Sequence, residues 1–175
     1  MIYAFAEGTF SSWAVLFLRD GRGLPDMTAS LALSAFWGAL VAGRLIASFL
    51  VVRVPARTVW LALPALMLAA FRLVSFADNA ATGIGAFAVA GLACSAFLPL
   101  TISLAVERFP DSVAWVSSML IAALMTGVGL GSWALGALQA RAPPEAIYRW
   151  SSLYPILLLM LAWPALRAAP ADKRG

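Results

Sequence analysis

Charged residues punctuate this chain at wide intervals, and the apolar stretches between them are long enough to cross a bilayer. A spanning helix needs about 20 mainly apolar residues, with a range of roughly 17–25. Six stretches meet that requirement: 2–18, 27–52, 58–77, 83–106, 112–140 and 150–166. Glu7, Arg44 and Arg72 are the lone charges of the first three, and the fourth and fifth carry none. The segments between them are turn-like. Gly21, Gly23 and Pro25 break 19–26, Pro55 sits in the basic turn 53–57, and Pro143 and Pro144 interrupt 141–149. A transmembrane β-barrel needs segments of about ten residues that alternate in polarity, and these runs do not alternate. Helices are expected because every backbone group must find its partner internally in lipid.

Composition strengthens this reading. Hydrophobic residues make up 63% of the 175 positions and charged residues 11%, against roughly 45–50% and about 25% in soluble domains. The net charge of +4 is scattered, with no basic block of the kind that binds nucleic acid. With no histidine, the Ser-His and Cys-His arrangements and His-ligated metal sites are excluded. Cys94 is the single cysteine, so no intramolecular disulfide forms. We expect no enzyme activity, no cofactor and no metal.

Six spans put both termini on one side. The loops and tail on that side hold Arg53, Arg57, Arg108, Arg167, Lys173 and Arg174; the opposite side holds Arg19, Arg22, Arg72, Arg141 and Arg149. The positive-inside rule then favours cytoplasmic termini. Glycines fall in spans one, two, four and five, and spans three and six have none. Small residues let membrane helices approach closely, so the glycine-free spans, above all the 156–161 run, are expected to be peripheral and lipid-facing. The layout is a three-helix unit used twice, as in transporters built from three-plus-three inverted repeats.

Several short motifs carry a resemblance. Tyr3 and Glu7 followed by Trp13, then Phe36-Trp37-Gly38 leading to Gly43-Arg44, resemble the seventh and eighth helices of the fucose-permease-like branch of the major facilitator superfamily. Residues 48–57 align with that superfamily's Gly-x-x-x-Asp-Arg-x-Gly-Arg-Arg gating loop: Arg53 and Arg57 fit, while Ser48, Val52, Pro55 and Ala56 replace its Gly, Asp, Gly and Arg. The stretch from Gly91 through Pro99 to Pro110 resembles the tenth helix, and the glycine-rich fifth span the eleventh. The resemblance implies an all-α integral membrane domain over 1–175, with six transmembrane helices as two three-helix repeats, half of a twelve-helix fold. The chain then looks like a truncated reading frame, a fragment, or a half that pairs with a second six-helix unit or with itself.

The candidate site follows from the polar residues inside spans. An ionisable group there normally faces a cavity or a partner. Glu7 reads as a proton-carrying or solute-binding carboxylate, with Tyr3 and Ser11 on its face at i±4 spacing; the plainer reading is a carboxylate near a helix end that reaches interfacial water. Arg44 shares a stripe with Ser30, Ser34, Trp37, Val41 and Ser48, which suits a water-filled path. Its plainer reading, a structural arginine that snorkels, is preferred. Tyr3, Phe10, Trp13, Phe36 and Trp37 are of the type that stacks on a sugar ring, whereas Trp60, Trp150 and Trp163 read as interface anchors. Pro99 is expected to kink span four, and Gly127, Gly131 and Gly136 to form a packing face.

The sequence reading is therefore a secondary transporter, or its C-terminal half, in a bacterial inner membrane. It would move a small polar solute such as a sugar, with proton coupling through Glu7. A multidrug or metabolite exporter, or a non-transporting assembly subunit, is the alternative. The topology is directly testable. Reporters fused at Gly175 and at Gly23 should report opposite sides of the membrane, and agreement between them would refute the span count at the first loop.

Overall fold

The computed structural model describes residues 1–139 and 141–167, the last five as backbone only. Helix α1 (Ile2–Leu16) continues through a π-helical stretch, Phe17–Gly21. Gly23, at φ +65°, then turns the chain, a conformation open to glycine because it lacks a Cβ. Helix α2 (Asp26–Leu50) starts on an acidic residue, which complements the positive end of the helix dipole. Helix α3 (Ala56–Val74) follows after residues 51–55. Asn79 and Thr82 form a reciprocal cap that starts α4 (Ala80–Ser95): the Asn79 side chain accepts from the Thr82 N–H at 3.0 Å. Helix α5 (Phe97–Arg108), α6 (Val113–Gln139), α7 (Pro144–Ser151) and α8 (Leu153–Arg167) complete the chain. No strand occurs among the described residues.

Four helical segments are long and apolar enough to cross a membrane: Asp26–Leu50, Ala56–Val74, Ala80–Arg108 and Pro110–Gln139. The chain is thus an all-helical protein of membrane type. The basic tail from 168 onward, with Lys173 and Arg174, lies outside the described residues, as do Ala140 and the Trp163 side chain.

Helix α1 is the core. It packs on α6, α2, α8 and α7, while α2 lies along α4 and α3 joins α4 to α8. The centre of the bundle is aromatic. Phe10 of α1 stacks on Phe71 of α3 with centroids 4.1 Å apart and meets Phe87 of α4 edge-on. Tyr148 of α7 lies 4.4 Å from Phe17 and donates its hydroxyl proton to the Thr9 carbonyl at 3.0 Å. Aromatic pairs in such geometry contribute about 0.5–1.5 kcal/mol each beyond simple burial. Phe10 and Phe36 are fully buried here, so neither is available to stack on a solute.

Glycines set the two closest crossings. A Cβ on Gly43 would lie 2.5 Å from the Ser95 Oγ, and one on Gly91 would run into the Phe36 carbonyl oxygen, so α2 and α4 meet backbone to backbone. On α6, Gly127 would collide with Ala4 at 2.6 Å and Gly131 with the Phe5 ring at 2.9 Å; Gly136 merely touches Trp13. The peripheral position expected for span three does not hold. Met67, Ala70, Phe71 and Val74 of α3 are buried, because large side chains reaching into the aromatic centre replace close backbone approach. Glycine-rich α6 instead exposes Trp115, Met119, Met125 and Trp133. Helix α8 does expose Leu157, Met160 and Leu161.

Gly91→Ala should lower stability by about 1–3 kcal/mol through overpacking. Gly129→Ala, with nothing within 4 Å of its Cβ position, should be neutral or stabilise by up to about 1 kcal/mol. Reversible unfolding in mixed micelles measures both, and equal effects would contradict the packing account.

Candidate functional site

The site grows out of a broken helix. Pro99 has no N–H to give to the carbonyl four residues back, that of Ser95. The helix breaks at Ala96, between α4 and α5. Two carbonyls at the break take side-chain donors from other helices. The Tyr3 hydroxyl of α1 donates to the Cys94 carbonyl at 2.8 Å, and the Arg44 Nε of α2 donates to the Ser95 carbonyl at 3.3 Å. Two residues singled out from sequence thus meet at a backbone defect in a third helix.

The aromatic side of the break is also ordered. Tyr3 stacks on Phe97 at 4.8 Å, and Phe97 stacks on Trp60 of α3 at 5.4 Å. The Trp60 indole N–H donates to the Thr101 Oγ1 at 2.8 Å. Trp60 therefore sits between α3 and α5, where sequence alone assigned it to the interface. Phe97, Thr101 and the two carbonyls were not anticipated, and Pro99 inside an apolar span was the signal that pointed to them.

Glu7 stands one turn above Tyr3, partly buried. Its carboxyl group is close to the Tyr3 hydroxyl and within electrostatic range of Arg44. It makes no contact ion pair with Arg44. The Tyr3 hydroxyl has one proton, and in this structure it is donated to the Cys94 carbonyl. A protonated Glu7 can join the chain by donating to the Tyr3 oxygen, whereas an ionised Glu7 competes for the Tyr3 proton.

The other predicted residues divide. Ser11, on the Glu7 face, donates to the Glu7 carbonyl at 2.9 Å. Ser34 donates to the Ser30 carbonyl at 3.0 Å. Ser30, Ser34, Trp37, Val41, Arg44 and Ser48 do form one exposed stripe along α2. Trp37 is 47% exposed, with its ring edge-on to Phe36. Trp13 lies apart from Glu7, beside Gln139 and Tyr148, and its buried indole N–H has no partner. Arg53 and Arg57 lie exposed on and just after the turn that follows α2, away from the Tyr3–Arg44 cluster.

The opposite end of α1 is tied down by charge. Arg22 pairs with Asp78 at 3.1 Å and donates to the Ser75 carbonyl at 2.6 Å, joining the first loop to the end of α3. The Arg19 guanidinium hydrogen-bonds Asp20 at 2.6 Å.

No family model matches this chain, and no curated protein matches it.

A double-mutant cycle tests the break. Arg44→Met removes the donor to the Ser95 carbonyl, while Pro99→Ala supplies a backbone N–H that reaches the same oxygen. Arg44→Met should therefore be less harmful in the Pro99→Ala background, with an interaction energy of about 1 kcal/mol. Strict additivity would show that Arg44 does not serve this carbonyl.

Proposed function

We propose that this chain is a six-helix unit of a secondary membrane transporter, of the major facilitator type, and that Glu7 carries its coupling proton. The unit moves a small polar solute by alternating access. One observation carries the reading: the two donors that cap the α4–α5 break are also the groups that flank Glu7.

The mechanism follows from donor counting. With Glu7 protonated, Tyr3 and Arg44 stay on the Cys94 and Ser95 carbonyls. With Glu7 ionised, the carboxylate attracts the Tyr3 proton and the Arg44 guanidinium. The carbonyls at the break then lose their caps in a setting without water, where an unsatisfied backbone group costs several kcal/mol. Helix α5 must re-orient on α4 to recover partners. Protonation of one carboxyl thereby biases a two-state element in the backbone, which is what coupling requires.

Two features support six spans arranged as repeats. Helix α1 with its π-helical extension covers Ile2–Leu16 and Phe17–Gly21, 15 and 5 residues, about the length a crossing needs. Helices α7 and α8 are separated by Ser152 alone. The packing also maps onto itself when each helix of the first three exchanges with its counterpart. Pairing α2 with α4 then corresponds to α6 with α1, and α3 with α4 corresponds to α8 with α1. The exposed apolar faces of α2 and α6 fit a second six-helix unit or a second copy. The structural use of Tyr3 and Arg44 favours, as a second reading, a non-transporting membrane subunit.

Glu7→Gln separates the two. It keeps size and hydrogen bonding but cannot titrate. In the complete transporter it should abolish uphill, proton-driven uptake and leave solute exchange largely intact. Unchanged uphill uptake would remove Glu7 as the coupling group, and loss of exchange as well would make it a solute ligand or a structural group.

A further inference from the structure

Helices α2 and α3 are joined by only residues 51–55, yet they splay apart and make almost no contact. The wedge between them is an open groove of about 670 Å³. Its walls are Ile46, Ala47 and Leu50 of α2, with Ala62, Leu66 and Ala69 prominent on α3. On the other flank of α2 lies a second depression of about 540 Å³, which shares Ile46 and Leu50 and has Arg53 on its rim. Two apolar grooves thus run side by side, divided by the Ile46–Leu50 ridge.

Both grooves open at the α2–α3 turn, where the charge is all of one sign. Arg53 and Arg57 are exposed and take part in no ion pair among the described residues. The α3 N-terminus beside them has no side-chain cap, and its free N–H groups add positive potential. No acidic residue lies in the stretch from Arg44 to Ala77, and neither arginine has a carboxylate within ion-pair distance among the described residues.

We propose that this turn and its two grooves bind one anionic phospholipid. The headgroup phosphate sits between Arg53, Arg57 and the start of α3, and the acyl chains lie on either side of the Ile46–Leu50 ridge. The lipid fills a wedge that the chain leaves empty where its other helices pack closely. A second protein helix would meet two arginines at the groove mouth with no acid to answer them. A phosphodiester with two hydrocarbon tails matches both the charge and the paired grooves. The groove floor reaches Ser95 and Ala96 at the α4–α5 break but not Glu7, and the proposal does not rest on the transport reading.

Native mass spectrometry of the purified full chain tests this, with phosphatidylglycerol and phosphatidylcholine as competing probes. One phosphatidylglycerol should be retained in preference to phosphatidylcholine. The double change Arg53→Gln, Arg57→Gln should weaken that binding by about 30-fold, from roughly 1 kcal/mol for each basic residue near a charged lipid. Ala62→Phe and Ala69→Phe, placed separately at exposed positions on the groove wall, should each displace the lipid while both arginines remain. Arg141→Gln with Arg149→Gln, just before and within α7, should change nothing. Equal retention of the two lipids would overturn the proposal. So would loss of binding in the arginine variant with full binding in both groove-filling variants, which would mark simple charge attraction. Phosphatidylglycerol should also raise the melting temperature of the unmodified protein and not that of the arginine variant; a rise of the same size in both would count against the site.

Discussion

The Ser95 carbonyl is the constraint on which much of this bundle depends. Pro99 cannot bond it, and a bilayer offers no water to do so. Arg44 reaches it only because α2 lies against α4 at backbone distance. That approach in turn requires Gly43 and Gly91, where any Cβ would strike Ser95 or the Phe36 carbonyl. One missing N–H therefore explains a glycine on each of two helices and a cation inside a span. Tyr3 completes the arrangement from α1, and its stack with Phe97 and Trp60 fixes where α5 starts. Removing any one of these groups leaves the others with a polar atom that has nowhere to go.

The rest of the core obeys a different rule. Helices in lipid gain little from the hydrophobic effect when they associate, so contact quality decides. Around α1 that contact takes two forms. Toward α6 it is glycine against Ala4 and Phe5, close and featureless. Toward α3, α4 and α7 it is ring against ring, centred on Phe10. The two forms explain how a glycine-free helix is held inside while a glycine-rich one lies at the edge.

Periodicity and charge spacing made the helices legible in the sequence, because lone charges and prolines interrupt long apolar runs. Ends differed by a few residues: the helix expected over 2–18 runs on to Gly21 through its π-helical extension, and the one expected over 58–77 begins at Ala56. The break in span four was legible from Pro99, but it lies three residues earlier, since the effect of proline falls on the preceding turn. Tyr3, Glu7 and Arg44 were legible as polar exceptions. Their gathering at one helix break was not, because backbone carbonyls carry no sequence signature. The Trp60 contacts with Phe97 and Thr101 were not legible either, because residue type does not say which neighbouring helix a ring meets.

The α2 stripe looked like the wall of a water path, and its exposure agrees with that. Two of its hydroxyls, however, need no water. Ser34 and Ser48 each donate to a carbonyl of their own helix at 3.0 and 2.7 Å, an arrangement that hydrocarbon tolerates. The charged groups on this face that still need partners are the Arg44 Nη groups and the Glu7 carboxyl. No residue of 113–139 on the neighbouring α6 carries charge to answer them. Whatever covers the bundle beside α1 must therefore present hydrogen-bond acceptors at the depth of Arg44, through water, a solute or a partner helix. The exposed face of α6 has no charged group. The two exposed faces are therefore chemically unequal: the α2 face carries Arg44, and the α6 face carries no charge.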